Sequence, residues 1–263
     1  VEAATLQKFC RTVTIPNGKR TIPRMGFGTR ILRPAIEGQA LPEAQRVKPN
    51  IDSIILEPKP FVATCRLTYE ALEKNIEKMG IENSIKKAMA QRIGVDVDDL
   101  VMNGDTAAAD PFYTTFDGML KLAGNAIDLS AAVYGKDVMK EMMKTLPKAF
   151  KNDKNALAYF ASQASAENYG DELSGRATAL GDKYLEGSAP MFFNGARVAD
   201  SSVIPENQGV APNYRSSAVL CDPRNAVIAY KEIVTFETAR DIAARMWIIV
   251  ARTGVTFGYE QTP

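Results

Sequence analysis

Proline limits what residues 17–60 can fold into. This segment contains six of the fourteen prolines in the 263-residue chain. Proline cannot continue a long helix, because its ring removes a backbone donor and clashes with the preceding turn. Short β-prone runs at Thr21-Ile22 and at 51–56 lie on either side of a turn at 37–43 that contains glycine and proline. The sequence therefore predicts a long, irregular β-hairpin over residues 17–60.

The predicted hairpin is basic, whereas the rest of the chain is acidic. Residues 11–48 contain eight Lys and Arg residues and two Glu, a net charge of +6, while the whole protein has +1. An isolated two-stranded hairpin is only marginally stable in water, so it needs a surface on which to lie. Opposite charges favour contact between this arm and the body of a neighbouring molecule. A solvated basic loop, or one that contacts phosphate groups, is the alternative interpretation.

The absence of histidine excludes several classes of site. No Ser-His-Asp or Cys-His arrangement can form, and neither can a zinc or haem site with histidine ligands. The three cysteines, Cys10, Cys65 and Cys221, are far apart and contain no Cys-x-x-Cys pair, so we interpret them as unreactive thiols. The sequence also lacks a nucleotide-binding glycine motif. We therefore expect no catalytic residues, no cofactor and no metal ion.

The hydropathy of the chain predicts a folded protein that does not associate with membranes. With 46% hydrophobic residues, a chain of this length buries roughly three quarters of its unfolded surface without disulfide or metal cross-links. The longest apolar run, 246–251, is much shorter than the roughly 20 residues of a membrane span. No apolar signal segment follows Val1, and proteolytic processing is one interpretation of this start.

Beyond residue 60 the pattern predicts alternating helices and strands. A strand at 60–67 precedes a helix of about 30 residues, bent at Gly80 and Gly94, that ends at Asn103-Gly104. These elements indicate the α+β class. The further elements expected are a helix at 136–150, a strand at 156–160, a helix at 164–180, short strands at 191–193 and 197–199, and tail strands at 217–221, 227–238 and 245–260.

Acidic residues after the long helix are candidate metal ligands. Asp105 and Asp110 offer oxygen atoms, but they lack the ligand spacing of a calcium loop. The same residues also suit the end of a helix and the turn that follows it. A metal-dependent enzyme that uses Asp105 and Asp110 is the alternative from a different functional class.

The order of motifs along the chain is similar to that of a known family. The motifs are the turn Glu37-Gly38-Gln39-Ala40-Leu41-Pro42-Glu43, segment 56–60 leading into 67–73, the step Asn103-Gly104-Asp105-Thr106, Asp110-Pro111-Phe112 with Phe116-Asp117-Gly118, and segment 193–198 leading into 204–206. Together, over about residues 11–260, these motifs resemble the major capsid protein of tailed bacteriophages, with the fold of the Hong Kong ninety-seven type.

The resemblance implies an α+β capsid fold made of five parts. We expect an N-terminal arm at 1–16, an extended hairpin called the E-loop at 17–60, and a peripheral domain at 61–130 with a spine helix. An axial domain is expected at 131–221. Return strands of the peripheral domain and the C-terminal end are expected at 222–263.

The resemblance also implies a structural function without enzymatic activity. Subunits of this family assemble into hexamers and pentamers of an icosahedral shell around double-stranded phage DNA, in the cytoplasm of a bacterial host. The implied partners are other copies of the chain, a scaffolding protein or cleaved scaffold segment, the portal, in some members a decoration protein, and packaged DNA without sequence specificity. An encapsulin shell, which encloses enzymes, is the alternative, although we find no match to its N-terminal cargo-binding helix.

Contacts between subunits are expected to join the E-loop to the spine helix of a neighbour. Each exposed ion pair contributes only about 0–1 kcal/mol to the contact, so stable assembly requires the same pair to be repeated between many copies. The expected E-loop residues are Arg20, Arg24, Arg30, Arg33, Leu41, Arg46 and Lys48, and the expected spine-helix residues are Glu70, Glu73, Glu77 and Glu82.

Leu41 stands at a position with a special role in the eponymous member of the family. There, a lysine just before the Pro-Glu of the loop turn forms a covalent crosslink between subunits. Leucine has no amine to form such a bond. We therefore expect a shell without covalent crosslinks, held by packing, by arm contacts or by a separate cement protein.

Overall fold

A computed structural model describes residues 4–16, 18–28, 30–34, 37–70, 81–129, 133–175, 190–208 and 215–261. The described helices are α1 (Leu6–Phe9), α2 (Ile81–Asn103), α3 (Lys136–Thr145) and α4 (Gln163–Ser174). The described strands are β1 (Arg11–Thr14), β2 (Arg20–Gly26), β3 (Asn50–Leu56), β4 (Lys59–Thr68), β5 (Ala158–Ser162), β6 (Phe192–Phe193), β7 (Ala196–Ser201), β8 (Val219–Cys221), β9 (Ala226–Tyr230), β10 (Thr235–Asp241) and β11 (Met246–Tyr259).

The first sheet has five strands built around the long strand β11. Along one side, β11 pairs antiparallel with β4. Along the other side it pairs first with β10 and then with β9, and β1 adds in parallel beyond β9. Side chains of β4 alternate between half-buried and exposed, the period of a strand with one solvated face.

The second sheet has four strands in the order β6-β7-β5-β8. All five residues of β5 are buried, as expected for a strand covered on both faces. Met139 and Met143 of α3 pack with Tyr159 of β5 and Tyr169 of α4 in the core of this sheet. The Tyr159 hydroxyl donates to the Met139 carbonyl at 3.1 Å, so the buried ring keeps a hydrogen-bond partner.

One hydrophobic core joins the two sheets to the long helix. Leu100 and Val101 of α2 share a buried cluster with Phe160 of β5, Ile228 of β9 and Val255 of β11. The shared core places the second sheet on the helix that also supports the first. Within the described helices, none is both long enough and apolar enough to cross a membrane.

Strands β2 and β3 form the predicted hairpin as a separate two-stranded sheet. Its base is anchored where Ile54 and Leu56 pack on Val227 and Ala229 of β9. The chain reverses at Gly38, whose φ of +79° is a conformation that L side chains rarely adopt. The rest of the hairpin extends from this base with both edges outside the other sheets.

Two of the predicted elements have different boundaries in the structure. The single strand expected at 227–238 is wrong, because the chain forms β9 and β10, which pair with different parts of β11. Lys231 marks the change of partner, where its amide donates to the Gly254 carbonyl at 2.8 Å. Helix α3 ends at Thr145 rather than at 150, since the residue before Pro147 disfavours helical backbone.

Candidate functional site

The hairpin has one apolar face that is left exposed within the described part of the chain. Register pairs Thr21 with Ile55, Pro23 with Ser53 and Met25 with Ile51, so these six residues share one side, here called the outer hairpin face. Met25, Ile51 and Ile55 are 68%, 65% and 56% exposed. A row of large exposed apolar side chains typically marks a contact surface.

On the opposite side of the hairpin, one arginine forms an ion pair within the hairpin itself. The Arg24 guanidinium donates to the Asp52 carboxylate at 2.6 Å across the two strands. The Ser53 amide and Arg24 together lower the pKa of Asp52. Arg24, predicted as a contact to another subunit, therefore has a partner within its own hairpin, while Arg20 is exposed at the hairpin base.

The tip of the hairpin presents basic and apolar groups side by side. Arg30, Arg33 and Lys48 are exposed, and no ion pair involves them within the described ranges. Leu32 is 86% exposed next to Arg33. These side chains are free to meet another surface.

A side chain of the same loop stabilises the turn that contains Leu41. Arg46 donates from Nε to the Leu41 carbonyl at 3.2 Å. Arg46 therefore has a role in shaping the turn, beside the contact role that its sequence suggests. Leu41 itself is half-buried.

The predicted acidic partners are only partly described. Glu70 is exposed two residues beyond the end of β4, and the Glu82 carboxylate forms an ion pair at 2.7 Å with the Lys86 ammonium one turn along α2. Glu73 and Glu77 lie outside the described residues. Contact between these glutamates and the E-loop of another copy stays a prediction.

The residues after α2 form an interlocked turn. Both the amide and the hydroxyl of Thr106 donate to Asp117 Oδ1, at 2.9 and 2.8 Å. The Ala107 amide and the Lys121 ammonium bind the Asp105 carboxylate and lower its pKa, while Asp110 accepts from the Phe112 amide. These carboxylates stabilise turns, and the described residues contain no group of three or more acids or cysteines placed to hold a metal ion.

Two of the three cysteines, Cys10 and Cys221, lie in unreactive surroundings. Cys10 and Cys221 are buried, and all three thiols are free. Burial, with a smaller contribution from Asp98, raises the pKa of Cys10 to about 12. Burial raises the pKa of Cys221 as well. At neutral pH both are therefore protonated and poorly nucleophilic.

Two features of the structure were not identified from the sequence. The outer hairpin face was missed because residues 51–56 do not alternate between apolar and polar side chains, so the sequence carries no period-two signal for this face. Asp98 is the other: it is 1% exposed, although the segment 95–101 contains three acids in seven residues and gives no local sign of which one is buried. A buried acid needs hydrogen-bond donors nearby, and only the fold supplies them.

Known proteins that are similar to this chain align with nearly its whole length. No family profile matches the sequence. The "Putative prophage capsid protein YqbE" of Bacillus subtilis (strain 168) is 28% identical over 263 residues, which cover 99% of this chain and 85% of that protein.

Solved structures with the same fold come from particles of several kinds. A subunit of the "Capsid of native GTA particle" aligns with a TM-score of 0.69 at 16% identity, covering 98% of this chain and 87% of its own. A subunit of the mature capsid of bacteriophage PhiM1 aligns with a TM-score of 0.62 at 15% identity, covering 100% and 85%. The capsid subunit of Ralstonia phage GP4 aligns with a TM-score of 0.65 at 8% identity, covering 98% and 87%. The capsid fold expected from the sequence is therefore confirmed.

Proposed function

We propose that this chain is the subunit of a phage-type capsid shell. The observation that carries the proposal is the agreement of nearly the entire chain, in sequence with a prophage capsid protein and in fold with capsid subunits. A protein of this kind acts by forming contacts with copies of itself, and its functional site is the set of those contacts.

The shell would be an icosahedral virion capsid of hexamers and pentamers, assembled in the cytoplasm of a bacterial host around double-stranded DNA. In this proposal residues 1–16 are the arm and 17–60 the E-loop. Residues 61–130 and 222–263 form the peripheral domain with its return strands, and 131–221 form the axial domain. The grouping of β4 with β9, β10 and β11 in one sheet, and of β5 to β8 in another, supports this division.

The outer hairpin face would provide most of the affinity for a neighbour. Burying a large apolar side chain stabilises a contact by about 1.5–3 kcal/mol, whereas an exposed ion pair contributes about 0–1 kcal/mol. Met25, Ile51 and Ile55 therefore outweigh Arg30 and Arg33 in binding energy. The arginines would guide the hairpin toward an acidic surface and set its orientation.

The proposed shell would also have partners other than itself. A scaffolding protein or cleaved scaffold segment, a portal, a decoration protein and nonspecifically bound DNA are the partners that the resemblance implies. A protein compartment of the encapsulin type is the second candidate, because it would use the same kind of subunit. A metal-dependent enzyme is less well supported, since Asp105 and Asp110 are engaged in separate turns.

Electron microscopy of the purified recombinant chain, with the ratio of nucleic-acid to protein absorbance, tests this proposal. Closed shells or ring-shaped capsomers are the expected result, and shell diameter separates a small compartment from a larger DNA capsid. If only monomers form, the chain is coexpressed with its scaffolding protein. Monomers under both conditions would overturn the proposal.

A further inference from the structure

The first described residues form a strap that touches both sheets. In this strap, residues 4–14, strand β1 pairs in parallel with β9 of the first sheet. The Thr5 hydroxyl lies 3.3 Å from the Ser201 hydroxyl at the end of β7 in the second sheet. The Phe9 ring meets the Phe160 ring edge to face at 5.8 Å, and the Arg197 guanidinium lies over Phe9 at 4.8 Å. The strap therefore connects the two sheets beside their shared core.

A third contact fastens the strap to the long helix. Asp98 Oδ2 on α2 accepts hydrogen bonds from the Thr5 and Leu6 amides at 2.5 and 2.8 Å. One turn earlier, the Gln7 side-chain amide donates to the Gly94 carbonyl at 2.9 Å. Gly94, where the sequence predicts a bend, lies close under the strap, since a Cβ there would be 3.4 Å from that of Ala4.

Asp98 is buried where it accepts hydrogen bonds from these amides, and no described cation is paired with it. The carboxylate is 1% exposed, and its Oδ1 has no hydrogen-bond partner within the described structure. Among the described residues, the titratable groups that interact with it are Cys10 on the strap and Tyr230 on β9. Both are neutral near pH 7, so within this part of the chain only dipoles offset a negative charge at Asp98. An uncompensated buried charge is costly, whereas the neutral acid is much less so.

We propose that the strap is a proton-linked clip between the two sheets, whose closed form is favoured when Asp98 binds a proton. Closing the strap removes Asp98 from water, and opening returns it to solvent. A protonated Asp98 can still accept hydrogen bonds from both amides through Oδ2, so these bonds remain when the charge is lost. A change in the surrounding pH would thus change the free energy with which the closed strap holds the two sheets together.

The direction of this effect follows from the burial of Asp98. Desolvation raises its pKa above the ordinary value of 3.8, although hydrogen bonds from Leu6, Gln7 and Thr5 act in the opposite direction. The closed form therefore keeps its proton at a pH where the open form has lost it. Closing is favoured at acidic pH, and this advantage disappears as pH rises through the pKa of the closed form.

Amide hydrogen exchange of the strap tests the proposal on the full-length chain. Protection factors for Leu6–Cys10, corrected for intrinsic exchange, are measured from about pH 4 to about pH 8. One linked proton changes the opening constant by up to about tenfold per pH unit within the window between the two pKa values. We expect protection to fall with rising pH in the unaltered chain, and to be independent of pH in Asp98→Asn, which keeps an acceptor oxygen and has no charge.

Two further variants separate the clip from general stability. Asp98→Ala removes the acceptor and should lower strap protection at every pH. Asp99→Asn, the matched control, changes a neighbouring carboxylate that binds Asn103 and Tyr113 instead of the strap, and should keep the pH dependence. If Asp98→Asn does not fold, a carboxyl NMR titration of the unaltered chain gives the pKa of Asp98 directly.

Protection that does not change with pH, the same slope in Asp98→Asn, or an Asp98 pKa at or below 3.8 would overturn the proposal. The measurement does not depend on shell formation, because it reads a contact within one chain. A chain that forms no shells but shows the expected protection profile would contradict the proposed function alone.

Discussion

Gly104 and Gly118 meet backbone to backbone, with the Gly118 amide donating to the Gly104 carbonyl at 2.8 Å. A Cβ at Gly104 would lie 2.5 Å from the Phe116 carbonyl oxygen, and one at Gly118 would lie 2.7 Å from the Gly104 nitrogen. Segment 103–106, the most specific part of the resemblance, and segment 116–118 are therefore two sides of one tight contact. The two glycines are needed for this packing.

Substituting Gly104 or Gly118 by alanine should destabilise the fold by about 1–3 kcal/mol, because the added methyl group meets backbone atoms that cannot move aside. Chemical denaturation of dispersed subunits measures this. Gly28→Ala is the matched control, since a Cβ at Gly28 has nothing within 4 Å. Equal stability of Gly104→Ala and Gly28→Ala would show that the contact is looser than described.

Reversing the charge of the hairpin tip should reduce assembly and leave the subunit folded. Arg30→Glu with Arg33→Glu removes basic groups that are exposed and have no ion pair within the described residues. Particle yield by sedimentation is the measurement, and the unfolding midpoint reports the fold. The same charge change at Lys140 and Lys148, exposed and far from the hairpin in sequence, is the control. Normal particle yield would contradict the predicted role of these arginines.

Polar substitution of the outer hairpin face should have a larger effect on assembly than charge reversal. If both side chains are covered in the shell, Ile51→Ser with Ile55→Ser lowers the hydrophobic stabilisation of each contact between subunits by about 3–6 kcal/mol. Because both are exposed in the single chain, its stability should change by less than about 0.5 kcal/mol. Ile54→Ser, on the face packed against β9, should instead lower stability. Unchanged particle yield in the double variant would mean that this face is not an interface.

Assembled particles should run as monomers on a denaturing gel after boiling with reductant. Leu41 cannot form an amide crosslink, and the described cysteines are all free thiols. A ladder of covalent oligomers would show that other residues form crosslinks. Particles made from a Leu41→Lys variant would test whether the turn alone can support one.

Thiol labelling of the folded chain should modify Cys65 first. Cys65 lies half-buried on β4, whereas Cys10 and Cys221 are buried, and Cys10 has a pKa of about 12. We expect rapid labelling of one thiol per chain and labelling of the other two only after unfolding. Cys65→Ser should remove the rapid phase. Fast modification of Cys10 in the folded chain would show that the strap opens readily.

Local signals predicted much of the fold, because their causes are local. Proline density indicated a hairpin, and β2 and β3 pair there; the Asn103-Gly104 step indicated the end of a helix, and α2 ends at Asn103. The elements that differ depend on distant partners. The chain between 227 and 238 is rich in strand-forming residues and was predicted as one strand, but it breaks around Lys231 and Glu232 into β9 and β10 because β11 presents two separate segments to pair with.

The sequence by itself determined the class of the fold, the position of its hairpin and the absence of any histidine-based chemistry, since composition and local backbone preference act at short range. Only the tertiary structure decided which face of the hairpin is left uncovered and why Asp98 is buried. In the sequence, Met25, Ile51 and Ile55 cannot be distinguished from core residues; they are left exposed because the base of the hairpin packs on β9 through Ile54 and Leu56 instead. Asp98 is an ordinary helix acid until residues 4–14 cross it, because burial and hydrogen bonding are properties of the neighbours that folding brings together.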